Sequence, residues 1–287
     1  MTDFPTPLVT TDWLAANADA PGVRVFDCTL ISRPDPSGVG LAAESGRALY
    51  EAGHIPGAAH IDILAISDPG RFRYELPVPD TFADRIGALG IGEGVKAVLY
   101  CRNNHNWAAR VWNTLRHYGF DDAAVLDGGW TKWSREGRPV ESGRRGHPPA
   151  RFVPRPRDDV FLDKAAVRAA LDDTRARLVN ALGADQHAGT GGVHYGRPGR
   201  LPGSVNVPAR SLIDPVSETF LPPDRLRAIF AAAGALDQER IVLYCGGGVA
   251  ASCDALALAL IGREASVYAR SLQEWATDPA CPMERDP

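Results

Sequence analysis

The stretch Arg240-Ile241-Val242-Leu243-Tyr244-Cys245-Gly246-Gly247-Gly248-Val249-Ala250-Ala251-Ser252 decides how the rest of the chain is read. It opens on apolar, β-prone residues, the pattern of a buried strand. It closes by entering Ala251-Ser252-Cys253-Asp254-Ala255-Leu256-Ala257-Leu258, which starts a helix. Between them lie one cysteine and three glycines. Glycine turns tightly, reaches positive φ and leaves its N–H uncovered. A strand, a glycine-rich loop and a helix N-terminus make a concave anion site, because N–H groups point inward and the helix dipole adds positive potential. That field favours a thiolate, so Cys245 reads as a nucleophile. The competing reading is a small buried cysteine ending a strand, followed by glycines that only make a turn.

Composition narrows the classes. A chain of 287 residues suits about two domains. Its 45% hydrophobic and 23% charged residues are those of a soluble globular protein. A net charge of -4 gives no reason to expect nucleic acid or an anionic membrane surface as partner. Met1-Thr2-Asp3-Phe4-Pro5-Thr6-Pro7 lacks the basic and apolar regions of a signal peptide, and no apolar run approaches a membrane span. The five cysteines, Cys28, Cys101, Cys245, Cys253 and Cys281, are odd in number and include no C-x-x-C pair. Neither a disulfide scaffold nor a zinc site is suggested, no cofactor is expected, and a reducing cytoplasm is the expected location.

In chain order, residues 11–15 start a short helix and Val23-Arg24-Val25-Phe26-Asp27-Cys28 reads as a strand. The Gly-, Pro- and Ser-rich stretch to about Ser45 reads as a loop. Residues 51–62 read as a turn and short strand, 80–89 as a helix, 96–101 as a buried strand and 108–117 as a helix. A strand at 122–127 and a helix entered through Gly128-Gly129-Trp130 follow. Residues 141–157, rich in Pro, Gly and Arg, form the best linker. The order then begins again. Gly199 follows Gly53 by 146 residues, Cys245 follows Cys101 by 144 and Trp275 follows Trp133 by 142. Val98-Leu99-Tyr100-Cys101 recurs as Val242-Leu243-Tyr244-Cys245. This is a duplicated domain. Strands alternating with helices predict, in each copy, a mostly parallel sheet with helices on both faces. Ligands of such sheets bind beyond the strands' carboxyl ends, where Cys101 and Cys245 lie.

The chain resembles the tandem-domain rhodanese family of thiosulfate and 3-mercaptopyruvate sulfurtransferases. The carriers are Gly53-His54-Ile55-Pro56-Gly57-Ala58, Ala108-Ala109-Arg110-Val111-Trp112, Leu126-Asp127-Gly128-Gly129, Leu201-Pro202-Gly203-Ser204-Val205-Asn206-Val207-Pro208 and the loop at Cys245. The resemblance implies an N-terminal rhodanese-like domain over residues 1–145 without catalytic role, a linker at 146–158 and a catalytic domain over 159–287. It implies a Cys245 that takes a sulfane sulfur from a small-molecule donor, holds it as a persulfide and passes it to a thiol or cyanide, with a sulfur-accepting protein as a further partner. Gly246, Gly247, Gly248, Val249 and Ala250 would bind that anionic sulfur through their N–H groups.

The chain also departs from the family pattern. Gly247 and Ala250 replace the loop hydroxyls of mercaptopyruvate-type enzymes. Leu182 and Ala188 stand where the family carries arginines expected to hold the donor's carboxylate or sulfonate, and Arg200 and His187 are nearby substitutes. Cys101 stands where the family has an aspartate, in a loop with Arg102 and His105 that admits a second reactive site or a purely structural role. A phosphatase would need an arginine six residues after its cysteine, but those positions hold Ala251 and Trp107. A non-catalytic or sulfur-carrier module acting with a partner protein is the alternative that the missing arginines keep open.

Overall fold

The computed structural model describes residues 4, 6–102 and 104–286. Asn103, within the Cys101 loop, and residues 1–3 and 5 of the N-terminal reading lie outside the described residues. In the N-terminal half the elements run β1 (Leu8–Val9), α1 (Thr11–Asn17), β2 (Val23–Asp27), β3 (Leu30–Pro34), β4 (Leu41–Ser45), α2 (Arg47–Ala52), β5 (Ala59–His60), α3 (Ile63–Ile66), α4 (Pro79–Ala88), β6 (Lys96–Tyr100), α5 (Asn106–His117), β7 (Ala123–Leu126) and α6 (Gly129–Arg135). The C-terminal half continues with β8 (Phe161–Leu162), α7 (Lys164–Leu171), β9 (Ala176–Asn180), α8 (Ala184–Ala188), β10 (Val205–Asn206), α9 (Pro223–Ala232), β11 (Arg240–Tyr244), α10 (Ala250–Leu260), β12 (Ser266–Tyr268) and α11 (Ser271–Trp275).

Each half carries a parallel five-stranded sheet, ordered β1-β7-β6-β2-β5 in the first and β10-β9-β11-β12-β8 in the second. The two orders are the same when read from opposite edges, as duplication requires. The central strands β6 and β11 are almost wholly buried, which explains their unbroken apolar character. Both halves thus have the parallel α/β architecture read from the sequence.

One expectation is corrected. Much of the stretch to Ser45 is not a loop but the antiparallel hairpin β3–β4. Its strands lie outside the main sheet and are mostly exposed or half-buried, so they lack the buried alternation that marks a strand in sequence.

The two halves share one core. Residues 108–115 of α5 and 251–258 of α10 are all buried, so each helix is covered on its outer face by the other half as well as by its own sheet. Ala- and Leu-rich α10 has no polar stripe, which fits a helix buried all round. No helix among the described residues is long and apolar enough to cross a membrane.

Candidate active site

Cys245 follows the last residue of β11 and is 2% exposed, at the floor of a cleft of about 460 Å³. Its Sγ accepts the Gly248 N–H at 3.1 Å. Gly248 takes φ +76°, and a Cβ there would lie 2.6 Å from the Ala269 carbonyl oxygen, so the turn needs glycine. The N–H groups of Gly246, Gly247, Val249 and Ala250 have no protein acceptor among the described residues. The loop is fixed from α11: Leu272 and Gln273 donate N–H bonds to the carbonyls of Cys245 and Gly246. The Cys245 N–H in turn donates to Ser271 Oγ at 3.1 Å.

Three residues the sequence did not single out complete the cleft. The hydroxyl end of the Tyr195 ring packs on the loop: a Cβ on Gly246 would fall 1.9 Å from its Cζ. Tyr74, from the N-terminal half, faces Gly247 and sits at φ 61°, an uncommon conformation for a bulky residue. It is held by its neighbours: Arg73 exchanges two hydrogen bonds with the Gln273 side chain, and the Tyr74 carbonyl accepts from Arg110 at 2.9 Å. Trp107 meets Tyr74 edge-on, ring centres 5.4 Å apart. Burial raises both tyrosine hydroxyls above their ordinary range, Tyr74 to about 12. Neither hydroxyl has a protein hydrogen-bond partner among the described residues. These residues come from segments far apart in sequence.

Arg110 belongs to α5 but reaches the Cys245 loop. It is 2% exposed, stacks over Phe161 and donates to the Gly248 carbonyl at 3.4 Å. Burial lowers its guanidinium to about 10, and the nearby Cys245 opposes that shift. Among the described residues no carboxylate pairs with it.

Arg200 and His187, which could have substituted for the family arginines, do not line the cleft. Arg200 is tied to Glu284 and Asp286. His187 is pushed down to about 4 by burial and by Arg200. Leu182 does line the cleft, leaving Arg73 as its one charged lining residue among the described residues, and Arg73 is paired with Asp35 at 2.8 Å.

Cys101 occupies the matching place in the other half but outside the cleft lining. Its sulfur receives the N–H groups of Ala108 and Trp107. Burial nevertheless pushes the thiol up to about 12, and its Sγ lies 2.9 Å from the Asn104 carbonyl. His105 points away, to the Glu218 carbonyl and the Phe220 ring, and burial lowers it to about 4. The loop thus packs against the other half. Cys28, Cys253 and Cys281 are buried free thiols.

The rhodanese-like domain model matches residues 10–136 and again 163–278. The chain belongs to the rhodanese-like family. It is 30% identical over 285 residues to the 3-mercaptopyruvate sulfurtransferase of Escherichia coli (strain K12), covering 97% of this chain and 98% of that one. It is 31% identical over 254 residues to the putative thiosulfate sulfurtransferase SseB of Mycobacterium tuberculosis (strain ATCC 25618 / H37Rv), covering 85% and 88%. The crystal structure of SseA from Escherichia coli superposes with a TM-score of 0.81 at 29% identity, covering 93% of this chain and 98% of that one. With these relatives, this rhodanese-like protein is a sulfurtransferase.

Proposed function

We propose that the protein moves a sulfane sulfur from a donor, such as thiosulfate, 3-mercaptopyruvate or a related persulfide, to a thiol or cyanide through a persulfide on Cys245. The observation that carries this is a cysteine at the floor of the cleft whose loop keeps four N–H groups without a protein acceptor among the described residues. A thiolate attacks the donor's outer sulfur, the donor's own bond to that sulfur breaks, and the donor leaves with the electron pair. The anionic persulfide extends beyond Sγ towards the free N–H groups of Gly246, Gly247, Val249 and Ala250, while Gly248 remains on the inner sulfur. The acceptor then attacks the outer sulfur and Cys245 leaves as thiolate. We assign residues 1–145 to the N-terminal domain, 146–158 to the linker and 159–287 to the catalytic domain. Five free thiols fit the reducing cytoplasm as location.

A steady-state assay with thiosulfate or 3-mercaptopyruvate and cyanide tests this. Turnover should be measurable and be lost in Cys245→Ser. Stoichiometric loading without turnover would favour the sulfur carrier instead.

A further inference from the structure

We propose that the physiological donor is a small organic persulfide with an aromatic body and no carboxylate or sulfonate, and that Tyr74, Trp107 and Tyr195 hold that body. This rests on the Cys245 persulfide reading and adds the chemical class of the donor. Three observations carry it.

The first is size. A cleft of about 460 Å³ lies in the range that houses whole organic ligands, far more room than a small inorganic anion fills. The second is charge. The cation lining the cleft, Arg73, already has Asp35 as its partner, and Leu182 and Leu41 present apolar surface beside it. Among the described residues that line the cleft, an anionic head would lose its hydration without meeting an unpaired cation. The third is shape. Tyr195 and Tyr74 cover the two glycines that follow Cys245, and Trp107 stands edge-on to Tyr74. An aromatic ring gains offset or edge-to-face contacts on such walls. The left-handed backbone of Tyr74 shows that the fold strains a residue to place this ring there.

The enclosure selects a small molecule over a protein-borne donor. The tip of the β3–β4 hairpin crosses to the other half, where the Gly40 N–H donates to the His194 carbonyl at 2.7 Å, and Cys245 is only 2% exposed below it. The step balances without an added oxidant or reductant. The Cys245 thiolate bonds to the outer sulfur of R–S–SH, where R carries the aromatic ring, the S–S bond of the donor breaks, and the thiolate R–S⁻ leaves and takes up the proton the donor carried.

The test is the loading rate of Cys245, read by intact-protein mass, with benzyl hydropersulfide, cysteine hydropersulfide and inorganic polysulfide at equal concentration. Benzyl hydropersulfide should load at least about tenfold faster than cysteine hydropersulfide. Trp107→Ala should bring that ratio towards one, and Leu182→Arg, which adds a cation to the cleft lining, should reverse it in favour of the carboxylate-bearing cysteine hydropersulfide. Equal rates in the wild type, or a ratio that neither variant moves, would overturn the assignment, as would faster loading from a persulfidated protein. If no donor, polysulfide included, places sulfur on Cys245, the persulfide reading itself fails.

Discussion

Ser271 and Gly129 occupy matching positions in the two halves, 142 residues apart, and both sit at φ 51°. Glycine adopts this left-handed backbone freely, whereas serine carries about 1–2 kcal/mol of strain. The serine holds the Cys245 N–H and donates to the Tyr268 carbonyl at 2.8 Å. Ser271→Ala keeps the strain and loses both bonds, so its Tm should fall further than that of Ser271→Gly, which loses the bonds but relieves the strain. Both should load sulfur more slowly than the wild type, because the Cys245 backbone is no longer held. A Ser271→Ala variant as stable as Ser271→Gly would contradict the strain argument. Gly248→Ala places a Cβ at φ +76° against the Ala269 carbonyl and should cost about 1–3 kcal/mol of stability in denaturant unfolding. At this scale the sequence was readable where chemistry is local. Cys245 and its glycines are contiguous, and the turn, the N–H ring and the helix start follow from residue type alone. Tyr74 and Tyr195 were not readable, because a lone tyrosine in an irregular stretch gives no sign of the glycine it covers 50 or more residues away.

The α5 helix joins the two halves, and its N-cap His105 gives it a pH dependence. Burial holds His105 neutral, at about 4, so the unfolded chain takes up a proton near pH 6.5 that the folded chain refuses. The stability tied to this histidine is therefore present above about pH 6.5 and is lost as pH falls towards about 4. Asp127, 3.9 Å from His105, acts in the opposite sense: burial raises its carboxyl to about 6, so its contribution is lost as pH rises through that value. Comparing the wild type with His105→Gln isolates the histidine. Between pH 6.5 and 4.5 the wild type should lose stability more steeply, by up to about 1.4 kcal/mol per pH unit. Parallel curves would show that His105 is not the group responsible. Elements with a periodic or fully apolar pattern, such as β6, β11 and α5, were legible within a residue or two. The β3–β4 hairpin was not, since its strands lie mostly outside the core and the segment between them, Asp35-Pro36-Ser37-Gly38-Val39-Gly40, is rich in turn-forming residues.

For the whole molecule, the duplication read from Cys101 and Cys245 returns as two sheets of the same order. What it did not show is how far the halves merge. Arg110, Tyr74 and Trp107 come from a half expected to have no catalytic role, yet two of them wall the cleft and the third braces the Cys245 loop. Residues 142–146 of the linker region are exposed, so limited proteolysis should cut there first. Because α5 and α10 bury each other, the two fragments should stay together in size-exclusion chromatography and keep sulfurtransferase activity. Fragments that separate with activity intact in the C-terminal piece would remove the N-terminal half from the cleft. The central claim is that sulfur resides on Cys245. Its most direct test is the intact and peptide mass of the wild type, Cys245→Ser and Cys101→Ser after exposure to a persulfide donor. The account predicts one added sulfur on the Cys245 peptide in the wild type and in Cys101→Ser, and none in Cys245→Ser. Sulfur that persists in Cys245→Ser and disappears in Cys101→Ser would place the active site in the N-terminal half and contradict it.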